Sequence, residues 1–139
     1  LAVPEELSPD LGKIIEYNTS CIFEPVQRAA TVAIAQGEPE VARLRAQLTA
    51  TRELLVSELR ALPGVVVPEA GGAMYVFLRI AGWDDTLSLA KRLVEEAGLG
   101  LAPGGAFGPE GEGWLRWCHA TSPEKLLDGV ARLKAFLAR

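Results

Sequence analysis

Residues 98–120 read GLGLAPGGAFGPEGEGWLRWCHA, a glycine-rich stretch followed directly by an apolar one. Seven of the 14 glycines lie between Gly98 and Gly113. Glycine and proline favour turns, whereas aromatic and other apolar residues at alternate positions favour a strand. We therefore predict a short strand at 99–102, then a loop of about ten residues, and then a second strand at 114–120.

The chain on either side of this stretch supplies the other elements of a small domain. Two β-rich runs and two capped helices are indicated: strands at 65–67 and 74–80, a helix from Asp84 or Asp85 to Gly98, and a last helix from Ser122-Pro123. A long amphipathic helix from Val41 precedes them and ends at Pro63-Gly64. The resulting ββαββα order predicts an α/β fold of the α+β type, a two-layer domain with helices on one face of a small sheet.

Residues 1–40 differ from the rest because they show helical patterns and loops but no strand. Helices are predicted from Ser8-Pro9 to about Tyr17 and from Pro25 to Ala35, with a turn at Asn18. The second helix is apolar nearly all round, so it requires neighbours on more than one side. We predict that residues 1–40 pack onto a separate body and that residues 41–139 form the small domain.

Composition argues against several classes of protein. With 49% hydrophobic and 23% charged residues in 139, the chain has enough apolar material for a core. Lys+Arg number 14 and Asp+Glu 18, for a net charge of −4, so we expect no nucleic-acid partner. No apolar run approaches the roughly 18 residues of a membrane span, and no signal peptide is indicated. We read the two cysteines as reduced thiols and expect a cytoplasmic protein without a membrane partner.

Arg116 is the most informative single residue. In a strand it shares one face with Trp114 and Cys118, so we expect its guanidinium to lie among residues that prefer burial. A planar guanidinium binds a carboxylate through two parallel hydrogen bonds. Two kinds of partner are open at this point: an internal glutamate, Glu110 or Glu112, or the carboxylate of a substrate.

The other candidate side chains are interpreted as structural. His119, the only histidine, lies on the opposite strand face from Arg116, and no spacing of histidines and cysteines supports a metal site. Cys118 is interpreted as a small core residue, and Tyr75, Phe77 and Trp83 as core aromatics. The four lysines lie on predicted helices with polar neighbours, and none resembles a buried amine nucleophile.

Together the loop and the arginine resemble the C-terminal signature of class I/II aminotransferases, the fold type I pyridoxal-phosphate enzymes. The residues that carry this resemblance are Ala102-Pro103-Gly104-Gly105-Ala106-Phe107-Gly108, Gly111, Gly113 and Trp114-Leu115-Arg116-Trp117. The wider layout is also similar, with a long helix followed by a strand pair of the form Gly-Gly-Ala-Met-Tyr-Val-Phe. Upstream, Tyr17-Asn18-Thr19-Ser20 and Pro25-Val26-Gln27-Arg28-Ala29-Ala30 resemble the end of the family's large domain.

The resemblance implies roles for named residues. Arg116 would bind the α-carboxylate of an amino-acid or 2-oxo-acid substrate. Pro103, Gly104 and Phe107 would shape the small-domain wall of the active site. Asn18 would lie near the active site of a partner subunit, because the family's dimers share sites.

The resemblance also implies pyridoxal 5′-phosphate as cofactor and a homodimer for the full-length enzyme. The Schiff-base lysine, the aspartate at the pyridine nitrogen and the phosphate contacts would lie upstream, since none can be matched in these 139 residues. Residues 1–40 would then be a remnant of the large domain. We expect residues upstream of Leu1, no catalytic residue in this chain, and no transamination or covalent cofactor binding by the chain alone.

Two alternatives to an aminotransferase fragment are kept. One is a stand-alone, non-catalytic module that binds carboxylates. The other is a fragment of a fold type I lyase or decarboxylase, because such enzymes share the arginine.

Overall fold

The computed structural model describes residues 3–139. The α-helices of this part are α1 (Ser8–Asn18), α2 (Glu24–Gln36), α3 (Glu38–Arg60), α4 (Thr86–Ala97) and α5 (Pro123–Leu137). The strands are β1 (Val65–Val66), β2 (Tyr75–Ile80), β3 (Ala102–Pro103) and β4 (Leu115–Cys118), and short 3-10 helices occur at Glu5–Leu7, Gly104–Phe107 and Pro109–Gly111. The predicted ββαββα order from β1 to α5 is confirmed.

The four strands form one antiparallel sheet with the spatial order β1-β2-β4-β3. Strand β4 therefore lies in the interior of the sheet, between β2 and β3. Arg116 on β4 faces Phe77 on one side and Ala102 on the other. Its position is fixed by hydrogen-bonded neighbours on both sides.

One face of the sheet is buried against helices, and the other is open. Val76 and Leu78 on β2 and Leu115 and Trp117 on β4 alternate into the core. They pack with apolar side chains of α3, α4 and α5: Leu55, Leu59, Leu89, Leu93, Leu126, Val130, Leu133 and Phe136. This arrangement confirms the prediction of a two-layer domain with helices on one face of a small sheet.

Helix α4 has both of the predicted end signals. The Asp85 carboxylate caps its first turn, accepting hydrogen bonds from the Ser88 backbone N–H at 3.0 Å and the Ser88 hydroxyl at 2.7 Å. These bonds lower the pKa of Asp85. Gly98 ends the helix with φ of 61°, a left-handed conformation that favours glycine.

Some predicted element boundaries were wrong. The strand predicted at 99–102 is restricted to Ala102–Pro103, because the Leu99 N–H instead closes α4 by donating to the Leu93 carbonyl at 3.0 Å. The predicted loop contains two 3-10 helices, and Trp114 belongs to it because its N–H donates to the Gly111 carbonyl. Asn18, predicted in a turn, is the last residue of α1.

Three burial predictions on the sheet were also wrong. Cys118 is exposed rather than in the core. Tyr75 and Phe77 are half-buried and stand outside the core, whereas Trp83 does pack against it. The reason is shared: Cys118, Tyr75 and Phe77 alternate with the buried residues of their strands and so lie on the open face.

The chain divides into two compact units, one up to Ala42 and one from Arg43 to Arg139. The described part of the first unit contains α1 and α2 and has no buried residue. Several of its large apolar side chains are strongly exposed, including Tyr17 at 87%, Phe23 at 72% and Ile34 at 88%. No helix within residues 3–139 is long and apolar enough to cross a membrane.

Candidate functional site

Arg116 lies half-buried on the open face of the sheet, in contact with two aromatic rings. Its guanidinium carbon is 4.1 Å from the ring centroid of Tyr75 and 3.7 Å from that of Phe107. At such distances the positive charge is attracted to the ring faces, an interaction worth about 0.5–1 kcal/mol at exposed sites. The rings hold the guanidinium without neutralising it.

The guanidinium of Arg116 has no hydrogen bond or ion pair with another residue in the described range 3–139. An internal pair with Glu110 or Glu112 is therefore absent there, and one of the two open alternatives for the arginine is removed. A guanidinium carries five N–H donors in one plane. An unpaired charged donor set at a half-buried position is suited to an external carboxylate.

The glycine-rich loop brings Phe107 to Arg116 by closing tightly on itself. Gly104 is buried, and its N–H donates to the Trp114 carbonyl at 2.7 Å. A Cβ at Gly104 would overlap the Gly111 carbonyl oxygen and lie 2.7 Å from that of Trp114, so only glycine fits there. Phe107 also meets Phe77 edge to face, with ring centroids 6.3 Å apart.

A cavity of about 330 Å³ lies elsewhere in this unit, but one of about 300 Å³ adjoins the arginine site. The smaller cavity is lined by Pro68, Phe77, Phe107, Glu110, Gly111 and Trp114. Phe107 contacts Arg116 and also forms part of this cavity wall. An apolar group attached to a carboxylate at Arg116 could therefore be received by aromatic side chains.

The structure brings most of the predicted site residues together. Phe107 contacts Arg116, and Gly104 begins the 3-10 helix that ends at Phe107. Pro103 pairs in the sheet with Leu115, the residue before Arg116. Asn18 lies in the first unit, where its amide donates to the Ile14 carbonyl at 2.8 Å, and its role stays a prediction.

Tyr75 is the site residue that sequence reasoning missed. In the sequence prediction it lies in the core together with Phe77, which shares its strand face. The structure puts both side chains on the open face. Register with β4 puts Tyr75 opposite Cys118, one alternate position from Arg116. The two-residue spacing of Tyr75 and Phe77 is visible in the sequence. It indicates a position beside Arg116 only once the pairing of β2 with β4 is known.

His119 lies on the covered side, as the opposite-face prediction requires. It is fully buried, and its Nδ1 lies 3.2 Å from the Thr51 hydroxyl. Burial lowers the pKa of His119, and the positive charge of Arg52 lowers it further. Within residues 3–139 its Nε2 has no hydrogen-bond partner.

The described residues do not fit a covalently held cofactor. Lys13, Lys91, Lys125 and Lys134 are all exposed, and none lines the cavity beside Arg116. An imine-forming lysine normally needs a desolvated or cationic setting to be reactive at neutral pH. Residues 3–139 also contain no group of three side chains that could hold a metal ion.

The sequence matches one known family along most of its length. The family model described as aminotransferase class I and II matches residues 7–133. This chain belongs to the class I and II aminotransferase family. The resemblance found in the loop and the arginine strand is thereby confirmed.

Curated relatives extend well beyond this aminotransferase-family chain. A probable N-acetyl-LL-diaminopimelate aminotransferase of Bacillus subtilis is 30% identical over 140 residues, covering 100% of this chain and 35% of the relative. An aspartate aminotransferase of Pyrococcus horikoshii is 31% identical over 140 residues, covering 99% of this chain and 36% of the relative. The chain therefore spans about a third of the length of the curated relatives it matches.

Solved structures share the fold of this aminotransferase-family chain. An aromatic aminotransferase from Pyrococcus horikoshii superposes with a TM-score of 0.86 at 29% identity, covering 99% of this chain and 37% of that one. An aspartate aminotransferase from Rhizobium meliloti gives 0.85 at 26% identity, covering 98% and 36%. Both neighbours are aminotransferases, and the present chain has the fold of a small α/β part of them.

Proposed function

We propose that this chain is the C-terminal part of an aminotransferase that moves an amino group between an amino acid and a 2-oxo acid. In this proposal Arg116 binds the α-carboxylate of either substrate. The observation that carries it is the unpaired Arg116 guanidinium, held between Tyr75 and Phe107 on the open face of the sheet. Family membership supports the general kind of reaction.

The geometry suits a group that binds and orients a substrate. Two aromatic rings restrict the guanidinium, so little side-chain freedom is lost when a carboxylate arrives. The arginine fork can donate a hydrogen bond to each carboxylate oxygen and so fixes the direction of the substrate's Cα. Pro103 and Gly104 would form the adjoining wall.

In this proposal the cofactor chemistry is carried by another part of a longer protein, outside these 139 residues. Bound pyridoxal phosphate supplies an electron sink for reactions at the amino acid's Cα. Because the four lysines of the chain are exposed and do not fit pyridoxal phosphate, we propose that residues upstream hold the cofactor. The chain by itself is then inactive.

The first unit supports the proposal of a longer chain. Several of its large apolar side chains, Tyr17, Phe23 and Ile34 among them, are strongly exposed, and exposed apolar surface favours a contact with another part of a protein. We propose that residues 1–40 belong to a large domain and residues 41–139 form the small domain. A cytoplasmic homodimer is the assembly that goes with this proposal.

Kinetics of the longer enzyme test the role of Arg116. Arg116→Gln removes the charged fork, and we expect KM for the amino acid to rise about tenfold or more, with kcat/KM falling accordingly. Arg132→Gln is the matched control, because Arg132 is exposed and paired with Asp128 at 2.8 Å. Unchanged kinetics in Arg116→Gln would assign the residue a structural role.

The visible spectrum of the chain tests the location of the cofactor lysine. We expect no stable imine band when the 139-residue chain is mixed with pyridoxal phosphate, because its lysines are solvent-exposed. A stoichiometric imine band that survives removal of free cofactor would contradict the proposal.

A further inference from the structure

A second cavity, of about 330 Å³, lies in the second unit and shares no lining residue with the cavity beside Arg116. It lies between helix α3 and the segment that precedes β2. Its lining residues are Arg45, Leu48, Thr49, Arg52, Gly71, Gly72, Ala73 and Met74. Two of them are cationic and none is acidic, so the cavity is electropositive.

The two arginines of this cavity are the unpartnered ones in the described part of the chain. Within residues 3–139, every other arginine has a hydrogen bond, an ion pair or a ring contact. Arg45 and Arg52 have none of these. They are seven residues apart on α3, which places them on nearly the same side of the helix at about 10 Å along its axis. Side chains of that length can converge on one ligand from the two positions.

The backbone of Gly71, Gly72 and Ala73 forms part of the cavity lining. The N–H groups of Gly71, Gly72 and Ala73 donate no hydrogen bond to any residue in 3–139. A Cβ added at Gly71 or Gly72 would meet nothing within 4 Å, so this backbone can be approached closely. Ala73 adopts φ of 57°, a left-handed conformation that alanine rarely takes.

The wall of the cavity is held in place from behind by His119. Its backbone N–H donates to the Met74 carbonyl at 2.9 Å, and its ring Nδ1 lies 3.2 Å from the Thr51 hydroxyl on α3. His119 therefore contacts both sides of the cavity. Binding here would require little rearrangement of the protein.

We propose that this cavity binds the phosphate group of a small molecule, with Arg45 and Arg52 neutralising its two charges. A single carboxylate carries one negative charge and would leave one of the two guanidinium charges unbalanced, whereas a dianionic tetrahedral group balances both and can accept from both forks and from the backbone N–H groups. The site is independent of Arg116 and of the proposed transamination.

Titration of the 139-residue chain with inorganic phosphate, followed by amide NMR at constant ionic strength, tests this site. We expect saturable shifts at the amides of Gly71, Gly72 and Ala73. Arg45→Gln and Arg52→Gln should each weaken phosphate binding about tenfold or more, since each removes charge-assisted hydrogen bonds. Arg132→Gln, which removes an exposed charge from α5, should leave it unchanged. Circular dichroism of each variant is the control that checks whether it is folded.

Three results would overturn the proposal. One is the absence of saturable shifts at 71–73. Another is an equal loss of binding in Arg132→Gln, which would indicate a general charge effect. The third is binding of succinate, titrated in parallel, without binding of phosphate, which would make the cavity a dicarboxylate site. Shifts that occur only around Arg116 would also overturn the proposal, because they mean that no phosphate binds at 71–73. They would leave the proposed role of Arg116 intact.

Discussion

The buried imidazole of His119 makes the stability of the second unit depend on pH. Burial, and after it the charge of Arg52, lowers the pKa of His119 in the folded protein, whereas the unfolded chain has the ordinary value of about 6.5. Below about 6.5 the unfolded state thus binds a proton that the folded state does not. We expect the free energy of unfolding to be at its full value above this pH and to fall as pH drops below it, by at most about 1.4 kcal/mol per pH unit.

Urea unfolding between about pH 5.5 and 8 measures this dependence, because the chain has no other histidine. His119→Phe should remove the slope, since it fills a similar volume without a titrating group. Thr51 keeps an acceptor in the variant, as its hydroxyl also lies 3.2 Å from the Gln47 carbonyl. A flat profile for the unchanged protein, or the same slope in the variant, would contradict the expectation.

Single residues show what sequence reasoning could and could not reach. Arg116 is a candidate from the sequence because an arginine in an apolar strand requires a partner, and the alternation correctly places it on the opposite strand face from His119. Alternation does not say which face of a strand helices will cover, since that depends on residues distant in the chain. Tyr75 and Cys118 were therefore assigned to the wrong environment, and the ring contacts of Arg116 were not foreseen.

The loop between β3 and β4 depends on the absence of a side chain at Gly104. A Cβ there would press on backbone carbonyls of Gly111 and Trp114 rather than on a flexible side chain. We expect Gly104→Ala to lower the free energy of unfolding by about 1–3 kcal/mol and to displace Phe107 from Arg116. Gly100→Ala is the matched control, because its added Cβ meets nothing within 4 Å. It should leave the stability unchanged or raise it by up to about 1 kcal/mol.

Chemical denaturation of both glycine variants checks the prediction. Equal stability of Gly104→Ala and the unchanged protein would mean that the loop can open without cost, and that Phe107 is not held by it. In that case the contact between Phe107 and Arg116 would have to be attributed to the rings alone.

Elements with local end signals were predicted well, and elements defined by distant partners were not. Asp85 and Gly98 bound α4 by contacts within a few residues, so the sequence alone indicates both ends. The strand predicted at 99–102 shrank to Ala102–Pro103 because Leu99 closes the preceding helix. A strand's length is set by the partner it pairs with, and β3 meets β4 over only two residues.

At the scale of the whole molecule, the two units differ in how they are stabilised. All the buried apolar residues described lie between Leu55 and Phe136, so the second unit contains a complete core of its own. The described part of the first unit has helices but no buried residue. Helices of this length are marginal in water without packing, so we infer that the first unit adds apolar surface rather than stability.

Removal of the first 42 residues tests this difference. We expect the chain from Arg43 to Arg139 to unfold cooperatively at the same urea midpoint as the 139-residue chain, because no core residue is lost. The longer chain should bind a hydrophobic dye and self-associate, and the shorter one should do neither, since Tyr17, Phe23 and Ile34 are absent from it.

A double variant of the 139-residue chain, Tyr17→Ser with Phe23→Ser, distinguishes the loss of apolar surface from the loss of chain length. Its dye binding should fall while its urea midpoint stays the same. A lower midpoint for the shorter chain would show that the first unit stabilises the second, and equal dye binding by the two chains would place the exposed apolar surface elsewhere.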